Sequence, residues 1–216
     1  MKKFLLFLAL LALVCAVPAT AQNSPSKQPA PQKQPATASK FEVATFAGGC
    51  FWCMQPPFDV AKGVISTVVG YTDGKEKNPT YEQVSNRQTG HRESVQVTFD
   101  PAQISYDQLL DIFWRSFNPT QADGQFADIG PQYRAAIFYH SEEQKRIAEQ
   151  SRERLAKSGK FKKPIVTEIL PASAFYPAEE YHQKYYLKNP ADYNRYKVGS
   201  GRAGFLHSVW GDEARH

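Results

Sequence analysis

From Phe41 onward the chain alternates short β-patterned runs with capped helical runs, and that alternation restricts it to an α+β fold, an α/β two-layer sandwich around a mixed sheet. Phe41 to Ala47 alternates and ends at Gly48-Gly49, as a strand entering a tight turn does. Gly63 to Tyr71 is rich in Val and Ile and closes on Thr72-Asp73-Gly74. Arg92 to Asp100 places Glu93, Val95, Val97 and Phe99 on one face and Arg92, Ser94, Gln96 and Thr98 on the other. Thr80 with Gln83, and Ser105 with Gln108, have capping-box spacing; they predict a short helix after Thr80 and a longer one from Ser105 to Phe117. Asn118 to Tyr133 is irregular, Arg134 to His140 reads as a strand, and Ser141 caps a long charged helix ending near Gly159. Pro164 to Leu170 is expected to be the last strand and Pro177 to Leu187 a further helix.

The first forty residues stand apart. Met1-Lys2-Lys3, an apolar run from Phe4 to Val17 and a small-x-small site at Ala19 and Ala21 predict a signal peptide over 1–21, whose apolar core is too short for a membrane span of roughly 20 residues. Its loss would take Cys15 with it. Residues 22–40, QNSPSKQPAPQKQPATASK, lack aromatic and large aliphatic side chains, so they are expected to be a disordered linker. The expected location is therefore periplasmic or secreted. Five of the 26 Lys and Arg residues precede position 41 and no acidic residue does, so the remainder balances the 21 Asp and Glu. A basic face for nucleic acid is not supported. The catalytic domain is expected over 41–198, with 199–216 as a C-terminal tail; its length suits one hydrophobic core.

Beyond the leader, the cysteines are Cys50 and Cys53, directly after the Gly48-Gly49 turn. A structural disulfide, half of a metal site and a redox pair are all open to such a spacing. A loop this small restrains the unfolded chain little, and no second CxxC or paired histidine completes a metal site. The redox pair is favoured: the glycines let the backbone approach a substrate, a strand-to-turn edge can expose a thiolate, and Phe51 and Trp52 bring two aromatic faces to the sulfur. A helix N-terminus would lower the thiol pKa, but Pro56 and Pro57 are expected to prevent a helix running on from Cys50. Glu93, on the apolar face of its strand, is expected to be desolvated and to favour its neutral acid form.

Gly49-Cys50-Phe51-Trp52-Cys53, Gly70-Tyr71, Pro79-Thr80-Tyr81, Gly90-His91 with Glu93, Pro119-Thr120, Asp128, Gln132-Tyr133-Arg134 and Tyr181-His182-Gln183 follow in order the pattern of A-type peptide methionine sulfoxide reductases. Residues 41–190 resemble that family. The resemblance implies a ferredoxin-like core, selectivity for the S epimer, no metal or organic cofactor, and recycling by a thioredoxin-like dithiol. It further implies Cys50 as nucleophile, Phe51 and Trp52 as a substrate-binding methyl pocket, and Glu93, Tyr81, Tyr133 and Asp128 around the sulfoxide oxygen. Phe126 and Ala127 depart from the family, where Gly and Asn are usual. Many members resolve with a cysteine near the C-terminus; 199–216 has none, so Cys53 is the expected resolver. A thiol-disulfide oxidoreductase acting on protein disulfides is the competing enzyme, but its usual Trp-Cys-x-x-Cys order is absent. A binding module with an inert disulfide is the competing non-enzyme. His91 and His182 read as structural.

Overall fold

The computed structural model describes residues 40–214. The expected signal peptide and all but the last residue of the expected linker lie outside the described residues. The elements follow in the order β1 (Glu42–Ala47), α1 (Phe51–Asp59), β2 (Val64–Thr72), α2 (Tyr81–Ser85), β3 (Arg92–Phe99) and α3 (Tyr106–Trp114). A two-residue hairpin, β4 (Gly124–Gln125) and β5 (Asp128–Ile129), precedes β6 (Ala136–Tyr139), α4 (Glu142–Lys157), β7 (Glu168–Pro171) and β8 (Tyr176–Pro177). Three helices close the chain: α5 (Tyr185–Lys188), α6 (Pro190–Gly199) and α7 (Arg202–Trp210).

Six strands form a mixed sheet in the order β7-β6-β1-β3-β2-β8, antiparallel throughout except for the parallel pair β6–β7. Its four central strands, with α1 and α3, make a β-α-β-β-α-β unit in the order β6-β1-β3-β2, the ferredoxin-like core. Strand parity sets the layers. Ala44 and Phe46 of β1, Val95, Val97 and Phe99 of β3, and Ile137 of β6 join Met54 and Phe58 of α1 and Leu109, Leu110 and Phe113 of α3 in one core. The opposite parity, Ala47, Ala136 and Phe138, forms a smaller cluster. Burial at roughly 25 cal/mol per Å² of apolar surface makes such a core the dominant favourable contribution. Glu93 shares the parity of Val95 and Val97, so the strand aims a carboxyl into the helix-facing layer.

Both capping boxes form, at Thr80 and at Ser105, and Ser141 caps α4. Three expectations need correction. Pro56 and Pro57 lie inside α1, which runs on from Cys50 as its N-cap residue. The roughly 3 kcal/mol that an interior proline costs is outweighed because Phe51, Met54 and Phe58, each 1 % exposed or less, pack on the sheet. The segment after Pro177 is helical only in part: a 3-10 turn at Glu180–His182 and the start of α5 at Tyr185 flank Gln183, which caps the edge of β2 as a strand would. Its amide accepts from Val69 N–H (3.0 Å) and donates to Val69 O (2.9 Å). Pro164 to Leu170 is not the last strand either, since β8 follows it. The residues from Gly199, set apart in sequence as a tail, carry α7, whose Arg202 and Leu206 are 1 % and 0 % exposed.

Candidate active site

β1 delivers the chain to Gly48 and Gly49, which turn it into α1. Gly49 has φ +85°, and a Cβ there would stand 2.5 Å from Gln125 Cβ and 2.8 Å from Arg202 Nη2. The missing Cβ of Gly49 admits the hairpin and Arg202 of α7 against the backbone, and that of Gly48 admits Met54 of α1. Cys50 and Cys53 follow as the N-cap and third residues of α1, positions whose side chains converge as in a capping box. Both are free thiols, and both are buried, not exposed on a turn edge as expected.

Burial is the first influence on the Cys50 thiol and raises it well above its ordinary range; a hydrogen bond with Cys53 and the charges of Cys53 and Glu93 push the same way. Cys53 moves down, chiefly through its hydrogen bond with Cys50, helped by the Arg202 guanidinium. The N-terminus of α1 does not offset the rise at Cys50, because its first free donor is occupied: Phe51 N–H donates to Glu93 Oε2 at 3.0 Å. Glu93 is 2 % exposed, and burial pushes its carboxyl up to about 8 against that one hydrogen bond. At neutral pH it is an acid holding its proton beside the Cys50 thiol.

Two tyrosines close on this centre. Tyr81 opens α2 under the Thr80 cap, and its N–H donates to Glu179 Oε1 (2.8 Å), which with Oε2 also accepts from Tyr71 Oη (2.8 Å). Tyr133 ends the 3-10 turn Pro131–Tyr133. The two supports are tied together: Gln132 Nε2 donates to Ser85 O (3.1 Å) and Arg87 Nη2 to Ile129 O (2.6 Å). Burial raises both phenols, and the charges of Glu93, Asp128 and Cys50 act on each, so all five groups share one site. Both phenols stay protonated donors.

Asp128 sits on β5, half-buried, and accepts a hydrogen bond from Tyr196 Oη of α6. Burial raises its carboxyl, while Tyr196 and Arg202 oppose the rise. Phe126, the departure from the family pattern, has φ +57°, the conformation that a glycine takes freely. Its ring contacts Phe205 (5.5 Å between centroids) and lies under the Arg202 guanidinium (4.8 Å), contacts that offset the strain and dock α7 on the loop.

The aromatic pair divides. Phe51 is 1 % exposed and packs on Tyr71 (5.9 Å) and His182 (5.0 Å), as part of the main core. Trp52 is half-buried; its indole N–H donates to His182 Nδ1 (2.9 Å), Tyr185 stacks on its ring at 3.9 Å, and Tyr196 meets it edge-on at 5.9 Å. His182 is fully buried, and desolvation drops its pKa to about 4, so it is a neutral acceptor that orients Trp52. His91 is likewise buried, accepting from Gly74 N–H at 3.2 Å.

Sequence reasoning missed Glu179, Tyr196 and Arg202. Arg202 is buried with its guanidinium on Gly48 O (3.1 Å) and Ser116 O (2.6 Å), pinning α7 to the turn before Cys50. The signals available were slight: Tyr193 and Tyr196 at helical spacing, and a Gly-Ser-Gly break before an arginine. Among the described residues, no group of three or more His, Cys, Asp or Glu side chains is placed to hold a metal ion.

A family profile described as peptide methionine sulfoxide reductase matches residues 42–214. The chain is 59 % identical over 174 residues to the peptide methionine sulfoxide reductase MsrA of Bacillus subtilis, spanning 81 % of this chain and 98 % of that one. It is 55 % identical over 174 residues to that of Listeria monocytogenes, again 81 % and 98 %. Among solved structures, reduced Mxr1 from Saccharomyces cerevisiae superposes with a TM-score of 0.65 at 35 % identity, covering 70 % of this chain and 87 % of that one. Methionine sulfoxide reductase A of Corynebacterium diphtheriae gives 0.62 at 35 % identity, with 70 % and 76 % covered. A match across the whole folded region, and relatives this similar over nearly their full length, place the chain in the peptide methionine sulfoxide reductase family, as an enzyme of the A type.

Proposed function

We propose that this enzyme reduces the S epimer of methionine sulfoxide, in peptides and as the free amino acid, with Cys50 as nucleophile, Glu93 as acid and Cys53 as resolver. The observation that carries the reading is the buried Glu93 carboxyl, protonated up to about pH 8 and bonded to the residue after Cys50. Sulfoxide oxygen is a poor leaving group and must gain a proton as the thiolate attacks. Glu93 supplies it, and Tyr81 and Tyr133 donate hydrogen bonds to the oxygen. The substrate's S–O bond breaks as the oxygen, protonated by Glu93, passes as hydroxyl to the Cys50 sulfur; the S–S bond made in the attack breaks, methionine leaves as the thioether, and Cys50 is left as a sulfenic acid. Cys53 then attacks the Cys50 sulfur; an S–S bond forms and the hydroxyl leaves as water with the Cys53 proton. An outside thioredoxin-like dithiol reduces that disulfide by exchange and is itself oxidised.

Closing the disulfide disturbs the first turn of α1, where Cys53 N–H donates to Cys50 O at 3.0 Å. Pro56 and Pro57 lower that cost, because neither can donate to the carbonyls of Trp52 and Cys53 four residues earlier. The half-buried indole of Trp52 provides the apolar wall for the substrate methyl, with Phe51 as the packing behind it. The expected leader and linker support a periplasmic or secreted location, where the enzyme would act on oxidised proteins.

The test is turnover of each epimer of a methionine sulfoxide peptide with dithiothreitol. The wild-type chain should reduce the S epimer and Cys50→Ser should not; a wild type inactive on both epimers overturns the reading. After a single turnover without reductant, Cys53→Ser should leave Cys50 reactive to dimedone, where the wild type carries a disulfide.

A further inference from the structure

Three supports of the site converge on one carboxylate. Glu179 stands at the head of the 3-10 turn Glu180–His182, and its backbone O accepts from His182 N–H at 2.9 Å. Its Oε1 accepts from Tyr81 N–H and its Oε2 from Tyr71 Oη, both at 2.8 Å. Tyr81 is one of the two phenols on the oxygen side of the site. Tyr71 is fully buried, faces Glu93 across the β2–β3 ladder and packs on Phe51. Burial pushes the Glu179 carboxyl up, but the bonds that it accepts from Tyr81 and Tyr71, with His182 beside it, hold it below its ordinary range. It is therefore a carboxylate, which only accepts.

The third support is unfinished. His182 Nδ1 accepts from the Trp52 indole, so in the neutral ring the proton is on Nε2. That Nε2–H is buried with no hydrogen-bond partner among the described residues, and Glu179 Oε2 stands 4.0 Å away, about 1 Å beyond bonding distance. Buried donors are seldom left without an acceptor. The turn itself is fixed: Ala178 N–H donates to Val69 O at 2.9 Å, and the Gln183 amide holds Val69 from the other end. The gap is therefore one that side chains close. The His182 ring lies against Tyr81 (4.3 Å between centroids), Phe51 (5.0 Å) and Trp52 (5.7 Å), so its tilt is shared by both walls of the site.

We propose that Glu179 is a positioning residue that aims the Tyr81 hydroxyl at the sulfoxide oxygen and, as the substrate methyl presses on Trp52, takes the His182 Nε2–H, locking the methyl wall to the same carboxylate. The role rests on the reductase reading above. Contact at the methyl end of the sulfoxide then tightens the oxygen end, and the reverse holds equally. No atom of Glu179 meets the substrate; it acts through Tyr81 on one side and through His182 and Trp52 on the other.

Glu179→Gln keeps the length of the side chain but turns one of its two acceptor oxygens into a donor. In the full chain, assayed on an S-epimer methionine sulfoxide peptide, it should lower kcat/KM by about tenfold, the loss that one hydrogen bond to a charged group carries. In a Tyr81→Phe background the same change should cost about threefold or less, because the hydroxyl that Glu179 aims is gone. A variant that merely loosened the fold would lose the same factor in both backgrounds. The second arm is read by proton NMR on Cys50→Ser, which binds the peptide without turning it over. Peptide should shift the Trp52 indole N–H, assigned by its loss in Trp52→Phe, and protect the His182 Nε2–H from exchange; with Glu179→Gln added, that protection should be lost. Equal losses in the two backgrounds overturn the proposal, as does a Glu179→Gln chain with the wild-type kcat/KM. Protection of His182 Nε2–H that survives Glu179→Gln overturns it equally. A wild type inactive on the S epimer overturns the reductase reading and the proposal together, whereas the other outcomes leave that reading standing.

Discussion

At the scale of single residues, Glu93 makes activity and stability depend on pH in the same window. Its carboxyl titrates at about 8 in the folded chain, against an ordinary value of 4.5. Between those values the folded state holds a proton that the unfolded chain has released, so stability falls as pH rises through the window and levels off above it. Glu93→Gln removes that slope. The difference in unfolding free energy between pH 5 and pH 9, read from urea titrations, should therefore be smaller in Glu93→Gln than in the wild type, by an amount on the order of a few kcal/mol. In the same variant kcat/KM should fall by a hundredfold or more, and the alkaline decline centred near pH 8 should vanish. Glu93 was legible in sequence because it interrupts the apolar face of an alternating strand and because the family resemblance names it; the strand pattern alone also fits a side chain turned out to solvent. Tyr196 was not, since its role depends on where α6 lands, and a tyrosine on a polar helix announces nothing.

At the scale of elements, what the chain wrote most plainly was its caps. Thr80 accepts from Gln83 N–H and Ser105 from Gln108 N–H, and both boxes form as read. Replacing either with Ala should cost about 1 kcal/mol in urea unfolding. Only Thr80→Ala should also lower kcat/KM, because the helix it caps begins with Tyr81, whereas α3 begins on the far side of the core. Steady-state kinetics of both variants at equal stability loss separates the two consequences. Local signals failed where an element is held from elsewhere. Proline chemistry argued against α1, but packing of Phe51, Met54 and Phe58 decided it. The apparent helix after Pro177 gave way because the Gln183 side chain does on the edge of β2 what a strand backbone does.

At the scale of the whole molecule, the C-terminal helix belongs to the domain. Arg202 holds Gly48 O and Ser116 O from inside, so Arg202→Met strands two buried carbonyls and should cost about 2–4 kcal/mol, read as a lowered urea midpoint. Arg202→Lys should recover part of that loss. Truncation after Ser200 also removes Leu206 and Trp210 from the core and should abolish the cooperative transition. Sequence patterns located the sandwich but not this closure. Contact between residues 48 and 202 leaves no periodic trace in either segment, and the departure at Phe126, which marks where α7 docks, reads in isolation only as a mismatch.

That closure also sets an order of events as the chain is made. A polypeptide emerging residue by residue exposes Cys50 and Cys53 long before Arg202 arrives to seal the turn above them. At roughly 5–20 residues per second, that interval is on the order of ten seconds. Throughout it the two sulfurs are ordinary, accessible thiols, open to any oxidant or disulfide-forming catalyst nearby. The newborn enzyme is thus open to thiol oxidation before it can work, and its first encounter with a reducing partner can precede its first substrate.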